Sequence, residues 1–271
     1  MDPIDISELF PLTPNGELHA KEYLENEGLL KYLDDIAIKQ DRRIKPKYCD
    51  LGRLHLIARK RKVQKALEFG VGFSSIVISD AILKNEKEYD LRCETDAKIR
   101  DKGFSLYSVD SYKEWIEKTE QIIPKYTREI VTFHESGVSV TQILGRICHT
   151  YDSLPNVVPD FIYIDGPDPA SVKGDINGQD WSIEDRPVMS ADLIQIEPTL
   201  MPGCLVLIDG RSLNARFLIK HLYRNWKSIS NLKNDITVLE LQEKPLGLRN
   251  KIKLDYQLGS HHQYWKNPIN E

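Results

Sequence analysis

The segment Glu68-Phe-Gly70-Val-Gly72-Phe-Ser74-Ser75 has residue types and a spacing that could do chemistry. Gly70 permits a sharp turn from strand to helix, and Gly72 lets a ligand approach the backbone without meeting a Cβ. Ser74 and Ser75 can cap the following helix and can also donate to a bound carboxylate or phosphate. A glycine turn that merely joins two elements is the plainer reading. Three more acids, Asp110, Asp165 and Asp209, each close a short apolar run. Ligands of an open parallel sheet bind outside the carboxyl ends of its strands. Glu68, Asp110, Asp165 and Asp209 are therefore expected to face one crevice.

Asp110 at a second strand end can accept both hydroxyls of a ribose, which suits an adenosine-containing cofactor. It lies 42 residues beyond Glu68, further than the roughly 20 of a compact dinucleotide unit. The polar segment Lys84–Gly103 reads as an inserted loop or short hairpin that supplies the excess. Asp165 and Asp209 are the expected catalytic pair. Two neighbouring carboxylates could hold a divalent cation through oxygen ligands, or share a proton and act as a base. Arg211 could pair with either acid or grip an anionic acceptor. His134 and His149 are alternative bases.

The elements that must position these residues form an alternating pattern from Val63 onward. Strands are expected at Val63–Phe69, Phe104–Val109, Glu129–Phe133, Phe161–Ile164 and Cys204–Ile208. Helices are expected at Ser74–Leu83, Tyr112–Ile123, Ala191–Leu200 and Leu213–Tyr223. Two β-like runs, Asp235–Leu241 and Ile252–Leu258, should pair antiparallel because no clear helix separates them. Val138–Asp152 permits either a helix over Thr141–Cys148 or an extended segment. The long loop Lys173–Trp181 with Glu184–Arg186 reads as a polar lid, Trp181 offering a flat face.

Residues 1–62 read as an N-terminal helical extension and 63–271 as the main α/β domain. The extension has one helix over Leu18–Ile38 and another around Leu51–Arg59. A basic stretch runs from Arg42 and Arg43 through Lys45, Lys47 and Arg53 to Arg59–Lys62. It is either a solvated helix face or a platform for an anionic partner.

Glu68-x-Gly70-x-Gly72-x-Ser74-Ser75, an acid after the second strand and Asp160-Phe-Ile-Tyr-Ile-Asp165-Gly-Pro together resemble class I S-adenosylmethionine-dependent methyltransferases. The nearest subset is the small-molecule and glycan O-methyltransferase-like proteins. The resemblance covers approximately Val63–Leu258. It implies a Rossmann-like, mostly parallel seven-stranded sheet with an antiparallel terminal strand and helices on both faces. It also implies S-adenosylmethionine as cofactor and a polar small-molecule acceptor such as a sugar or glycan precursor. Gly70 and Gly72 would pass under the methionine moiety, with Glu68 near its amino group and Ser74 and Ser75 near its carboxylate. Asp110 would bind the ribose, Ser111, Tyr112 and His134–Ser136 would flank the adenine, and Asp165 would lie close to the methyl. Catechol-type relatives hold magnesium with an Asp-Asn pair after strand five. Here Gly210 stands in place of the asparagine, so a metal is not favoured, although Asn214 one turn on could substitute. A nicotinamide enzyme could use a similar first turn. Ser75 replaces the third glycine of that fingerprint, however, and Glu68 suits an ammonium and a sulfonium better than a pyrophosphate.

The bulk numbers agree with an ordinary globular protein: 271 residues, 41% hydrophobic, 29% charged, formal net charge −4. That charge excludes wholesale attraction to nucleic acid, and no Asn/Asp-Pro-Pro-Tyr signature of base-amino methylation occurs. The cysteines, Cys49, Cys93, Cys148 and Cys204, show no CxxC spacing. With neither a signal-peptide pattern nor an apolar run long enough for a membrane, the chain reads as cytoplasmic. Oligomeric state has no sequence signature. A binding module that keeps the fold without turnover, and a nucleic-acid methyltransferase using residues 42–62, are the rival readings.

Overall fold

The structure is a computed structural model, and it describes residues 10–39, 45–92 and 103–259. Arg42 and Arg43 of the basic stretch, the N-terminal residues read for a signal peptide, and Cys93 lie outside the described residues.

Ten strands and eight helices are described. The central sheet contains β1 (Lys65–Phe69), β2 (Ser105–Asp110), β3 (Val131–Glu135), β6 (Phe161–Ile164), β8 (Leu205–Asp209), β9 (Trp226–Asn231) and β10 (Ile236–Leu241). Its order is β3-β2-β1-β6-β8-β10-β9. The pairs β1–β2, β2–β3, β1–β6 and β6–β8 are parallel, and β10 is antiparallel to both neighbours. The fold is Rossmann-like α/β. The last strand in the chain alone runs against the others, and it sits one place in from the edge. The order in which the chain adds strands reverses between β1 and β6, so a crevice opens there at the carboxyl ends.

Alternation along the strands sorts the core into two layers. Ala66, Leu106, Phe161, Leu205 and Val238 point to one face, against Ile57 of α3 (Tyr48–Lys60) and Ile76 and Ile78 of α4 (Phe73–Arg92). Leu67, Val109, Ile162, Val206 and Leu239 point to the other. There they meet Leu193 of α6 (Asp192–Ile196) and Leu218 of α7 (Ser212–His221). Helix α5 (Lys113–Ile122) links β2 to β3.

The N-terminal helices belong to the first layer. One expected helix is two, α1 (Pro14–Asn26) and α2 (Leu30–Lys39), because Gly28 takes a left-handed turn at φ 77° and ends the first. Leu24, Leu33 and Leu54 are buried in the same cluster as the sheet residues. A buried polar network fixes this layer. His55 bonds Tyr23 at 2.7 Å and Asp80 at 2.9 Å, and Lys84 reaches both Asp80 and Glu27 at 2.8 Å.

Two further expectations need correction, and one left open is decided. Ile252–Leu258 is not a strand: it lies in α8 (Gly247–Leu258). The antiparallel partner of β10 is instead β9, a polar edge strand. Lys84–Arg92 is not loop but the second half of α4, held by buried Asn85, which donates to the carbonyls of Ala58 and Val63. The remainder of that segment, residues 93–102, lies outside the described residues. Val138–Asp152 is extended: β4 (Val138–Ile143) and β5 (Arg146–Tyr151) form a hairpin, and β4 also pairs with the short β7 (Val172–Lys173).

Candidate active site

A cleft of about 530 Å³ opens at the carboxyl ends of β1, β2, β6 and β8. Gly70, Gly72, Ser74, Asp110, Tyr112, Asp165 and Asp209 line it, so seven of the residues picked from sequence converge. The turn after β1 makes the approach possible. Gly70 has φ 93° and lies so close to Gly166 that a Cβ on it would stand 2.9 Å from the Gly166 nitrogen. A Cβ on Gly72 would meet nothing within 4 Å, leaving the floor open to a ligand.

Glu68, Ser75, Ser111 and Ser136 are not among the lining residues. Glu68 is fully buried beneath the turn, on the α4 side of the sheet. Its Oε2 accepts from Ser75 Oγ at 2.6 Å and from Ser108 Oγ at 2.5 Å, while Oε1 has no partner. Burial pushes its carboxyl up to about 7 against the pull of these hydroxyls. Ser75 Oγ also accepts from Gly72 N at 3.2 Å, tying Glu68 to the turn. Ser111 Oγ is buried without a partner. Ser136 abuts Asp110, whose carbonyl accepts its N–H at 3.0 Å.

Asp110 stands against the turn. Its Oδ2 accepts from Val71 N at 3.0 Å and its Oδ1 from Tyr112 N at 2.9 Å. Each oxygen keeps a lone pair for a ligand hydroxyl. Burial raises its carboxyl and these backbone donors oppose the rise.

At the other end of the cleft three carboxylates come together. Asp209 accepts from the Tyr163 hydroxyl at 3.0 Å. It is pushed up to about 7, first by burial and then by the charges of Asp50 and Asp165. Asp165 is open to the cleft but surrounded by protein, which raises it to about 6 against the attraction of Arg211 and Lys47. Arg211 pairs with neither carboxylate directly. Its Nη2 donates to the Asp165 carbonyl and, at 2.9 Å, to that of Pro167.

The sequence reading missed Asp50, Trp115 and Tyr163 as cleft residues, and treated Lys45 and Lys47 only as part of a basic run. The N-terminal helical segment thus supplies one wall. An acid inside that run, Lys47-Tyr-Cys-Asp50, is the signal that could have pointed to it. Tyr163, two residues before Asp165, points to the opposite face of β6 from Ile162 and Ile164. Trp181 is buried rather than presenting a face to solvent, and it packs edgewise on His149.

Among the described residues, Glu27, His55 and Asp80 form the one group of three whose possible ligand atoms lie within 4.8 Å of one another. The ammonium of Lys84 already reaches two of them. Asp165 and Asp209 do not join a third ligand in this way. Among the described residues no helix is long and apolar enough to cross a membrane.

Neither a family model nor a curated protein matches the chain. Solved structures do. The O-methyltransferase TomG from Streptomyces achromogenes, in complex with SAM, is 16% identical over 81% of this chain and 95% of its own, with a TM-score of 0.43. The SAH-bound methyltransferase PaMTH1 from Podospora anserina is 11% identical over 86% and 98%, with a TM-score of 0.47. An O-methyltransferase from Bacillus cereus in complex with SAH is 12% identical over 82% and 97%, with a TM-score of 0.41. With identities at or below 16% and TM-scores below 0.5, function has to be argued from the topology and the cleft.

Proposed function

We propose that the protein is an S-adenosylmethionine-dependent methyltransferase acting on an oxygen, less favourably a nitrogen, of a polar small molecule such as a sugar or glycan precursor. The observation that carries this reading is Asp110, bonded to Val71 of the Gly70–Ser74 turn, at the lining of a cleft rich in carboxylates. A ribose fits the free lone pairs of Asp110, and an amino-acid moiety fits the open floor at Gly72. The acids Asp50, Asp110, Asp165, Asp168 and Asp209 outnumber Lys45, Lys47 and Arg211 around the cleft. That balance suits a cofactor carrying a sulfonium and an ammonium, and it opposes a pyrophosphate.

When bound, the cofactor supplies an activated methyl group. The chain's own residues do the rest. Asp110 and the glycine turn orient the cofactor, which is the larger part of catalysis by alignment. Asp209, raised toward neutrality and anchored by Tyr163, takes the proton of the acceptor hydroxyl. Asp165 lies beside it, and its charge raises the basicity of Asp209. Lys47 and Asp50 bring the N-terminal segment to the acceptor end.

Two substitutions test this division of roles. Asp110→Ala loses S-adenosylhomocysteine binding measured by calorimetry, whereas Asp165→Ala retains it. Equal loss in both variants, each still folded by circular dichroism, contradicts the assignment.

A further inference from the structure

Much of the basic run from Lys45 to Lys62 is taken up by the fold. Arg59 pairs with Glu88, Arg61 with Glu240 at 2.6 Å, and Lys62 donates to the Tyr256 carbonyl at 2.6 Å. Among the described residues Lys45 and Lys47 make no hydrogen bond or ion pair, and both line the cleft. A platform for a large anionic partner would leave the other cations free as well. The two lysines are instead placed to act on a ligand of the cleft.

Asp50 lines the same cleft from the first turn of α3, and Lys47 is the N-cap of that helix. A capping residue and the third helical residue lie side by side at a helix start. The wall therefore presents an ammonium and a carboxylate together. The carboxylate is fixed by Arg53, which is only 1% exposed. Asp50 Oδ1 accepts from Arg53 Nη1 at 3.0 Å, and Nη2 of the same guanidinium donates to the Phe10 carbonyl at 2.8 Å. A planar fork held at both ends sets the orientation of the carboxylate. Among the described residues Asp50 Oδ2 has no partner, yet it is not one of the unpartnered atoms sealed from solvent. An accessible, oriented oxygen is thus left for a ligand.

We propose that Asp50 and Lys47 determine acceptor specificity by gripping a second hydroxyl of an uncharged polyhydroxy acceptor. That hydroxyl donates to Asp50 Oδ2 and accepts from Lys47 Nζ, while a different hydroxyl of the same molecule loses its proton to Asp209. A hydroxyl is both donor and acceptor, so it satisfies the two charges at once. A phosphate on the acceptor is opposed by Asp50, Asp165 and Asp209, and an ammonium by Lys45, Lys47 and Arg211, all around the one cleft. That the bound polyol is a methyl acceptor rests on the methyltransferase reading; the hydroxyl subsite stands on its own side chains.

The test titrates the full chain with cyclohexanol, myo-inositol and myo-inositol monophosphate, with and without S-adenosylhomocysteine, and follows binding by ligand-observed NMR. The three probes share one ring and differ in hydroxyls and charge. Myo-inositol is expected to bind roughly tenfold more tightly than cyclohexanol. Asp50→Asn is expected to remove that preference, and Lys47→Met, at an exposed side chain with no partner, to reduce it roughly threefold. Should Asp50→Asn fail to fold, Lys47→Met decides alone. Equal affinity for the two neutral probes overturns the proposal, as does no saturable binding of myo-inositol or tighter binding of its phosphate. So does an unchanged preference in the folded variants. Equal weakening of cyclohexanol and myo-inositol marks Asp50 as a brace for Arg53 and has the same consequence. If S-adenosylhomocysteine binds and myo-inositol does not, the hydroxyl subsite fails alone; if myo-inositol binds and S-adenosylhomocysteine does not, the methyltransferase reading fails alone.

Discussion

Gly70 and Gly166 bring the ends of β1 and β6 into backbone contact: a Cβ on Gly166 would lie 2.6 Å from the Gly70 nitrogen. No side chain can be accommodated there without moving backbone. Two residues from Gly70, the space above Gly72 is open. The two positions separate folding from ligand binding.

Gly166→Ala is therefore expected to lower the unfolding free energy by about 1–3 kcal/mol in urea titrations. Gly72→Ala is expected to cost less than about 1 kcal/mol. It should still weaken S-adenosylhomocysteine binding at least tenfold, about 1.4 kcal/mol. Stability loss of similar size in both variants would refute the separation.

The N-terminal layer hangs on Asp80, which holds His55 at 2.9 Å, Lys84 at 2.8 Å and the Tyr126 hydroxyl at 2.9 Å. Replacing one partner of a buried ionic network leaves the others without a counter-charge. Asp80→Ala should destabilise by about 3–5 kcal/mol, read by chemical denaturation. A change below about 1 kcal/mol would mean that the network contributes little.

The pH dependence of stability has a sign set by Glu68. Its folded-state carboxyl is raised to about 7, while an unfolded glutamate ionises near ~4.3. Between those values the folded chain holds the proton and the unfolded chain does not. Stability from this group is thus greatest below about pH 4 and is lost as the pH rises through 7. Asp192, raised to about 6 by burial, acts in the same direction. Asp80 and His55, both lowered, act oppositely, since their contribution is lost as the pH falls. Comparison with Glu68→Gln isolates the first effect: wild type should lose on the order of 2–3 kcal/mol relative to the variant between pH 5 and pH 8. Parallel curves for the two proteins would contradict the burial of an ionisable Glu68.

Much of the site was legible because acids at the ends of apolar runs have few structural uses at that edge of a parallel sheet. Asp110, Asp165 and Asp209 were found this way. The same short motif shows the limit of the rule. Asp160 opens β6 at the opposite edge, where it caps Gln64 and Lys65 through their backbone N–H groups and binds Lys253 and Gln257. Only strand direction separates its role from that of Asp165.

The misread elements share a cause: polar residues occupy positions that packing made internal, or apolar residues were few. Helix α8 looked like a strand because Ile252, Leu254, Tyr256 and Leu258 alternate. Its buried stripe is instead Asn250, Leu254 and Gln257, with Asn250 donating to the Pro202 carbonyl and Gln257 to Asp160. Strand β9, Trp-Lys-Ser-Ile-Ser-Asn, has an edge strand's sparse apolar content and gave no periodic signal. The approach of Asp50 to Asp209 depends on how α3 packs across α4, and no local pattern encodes that.

The central claim is that this cleft holds an adenosyl sulfur cofactor. Calorimetric titration of the purified full chain with S-adenosylmethionine, S-adenosylhomocysteine and NADH, each with and without magnesium, tests it most directly. Saturable binding of the two sulfur compounds and none of NADH is the predicted result. Binding of NADH alone, or of none of the three, would contradict the methyltransferase assignment.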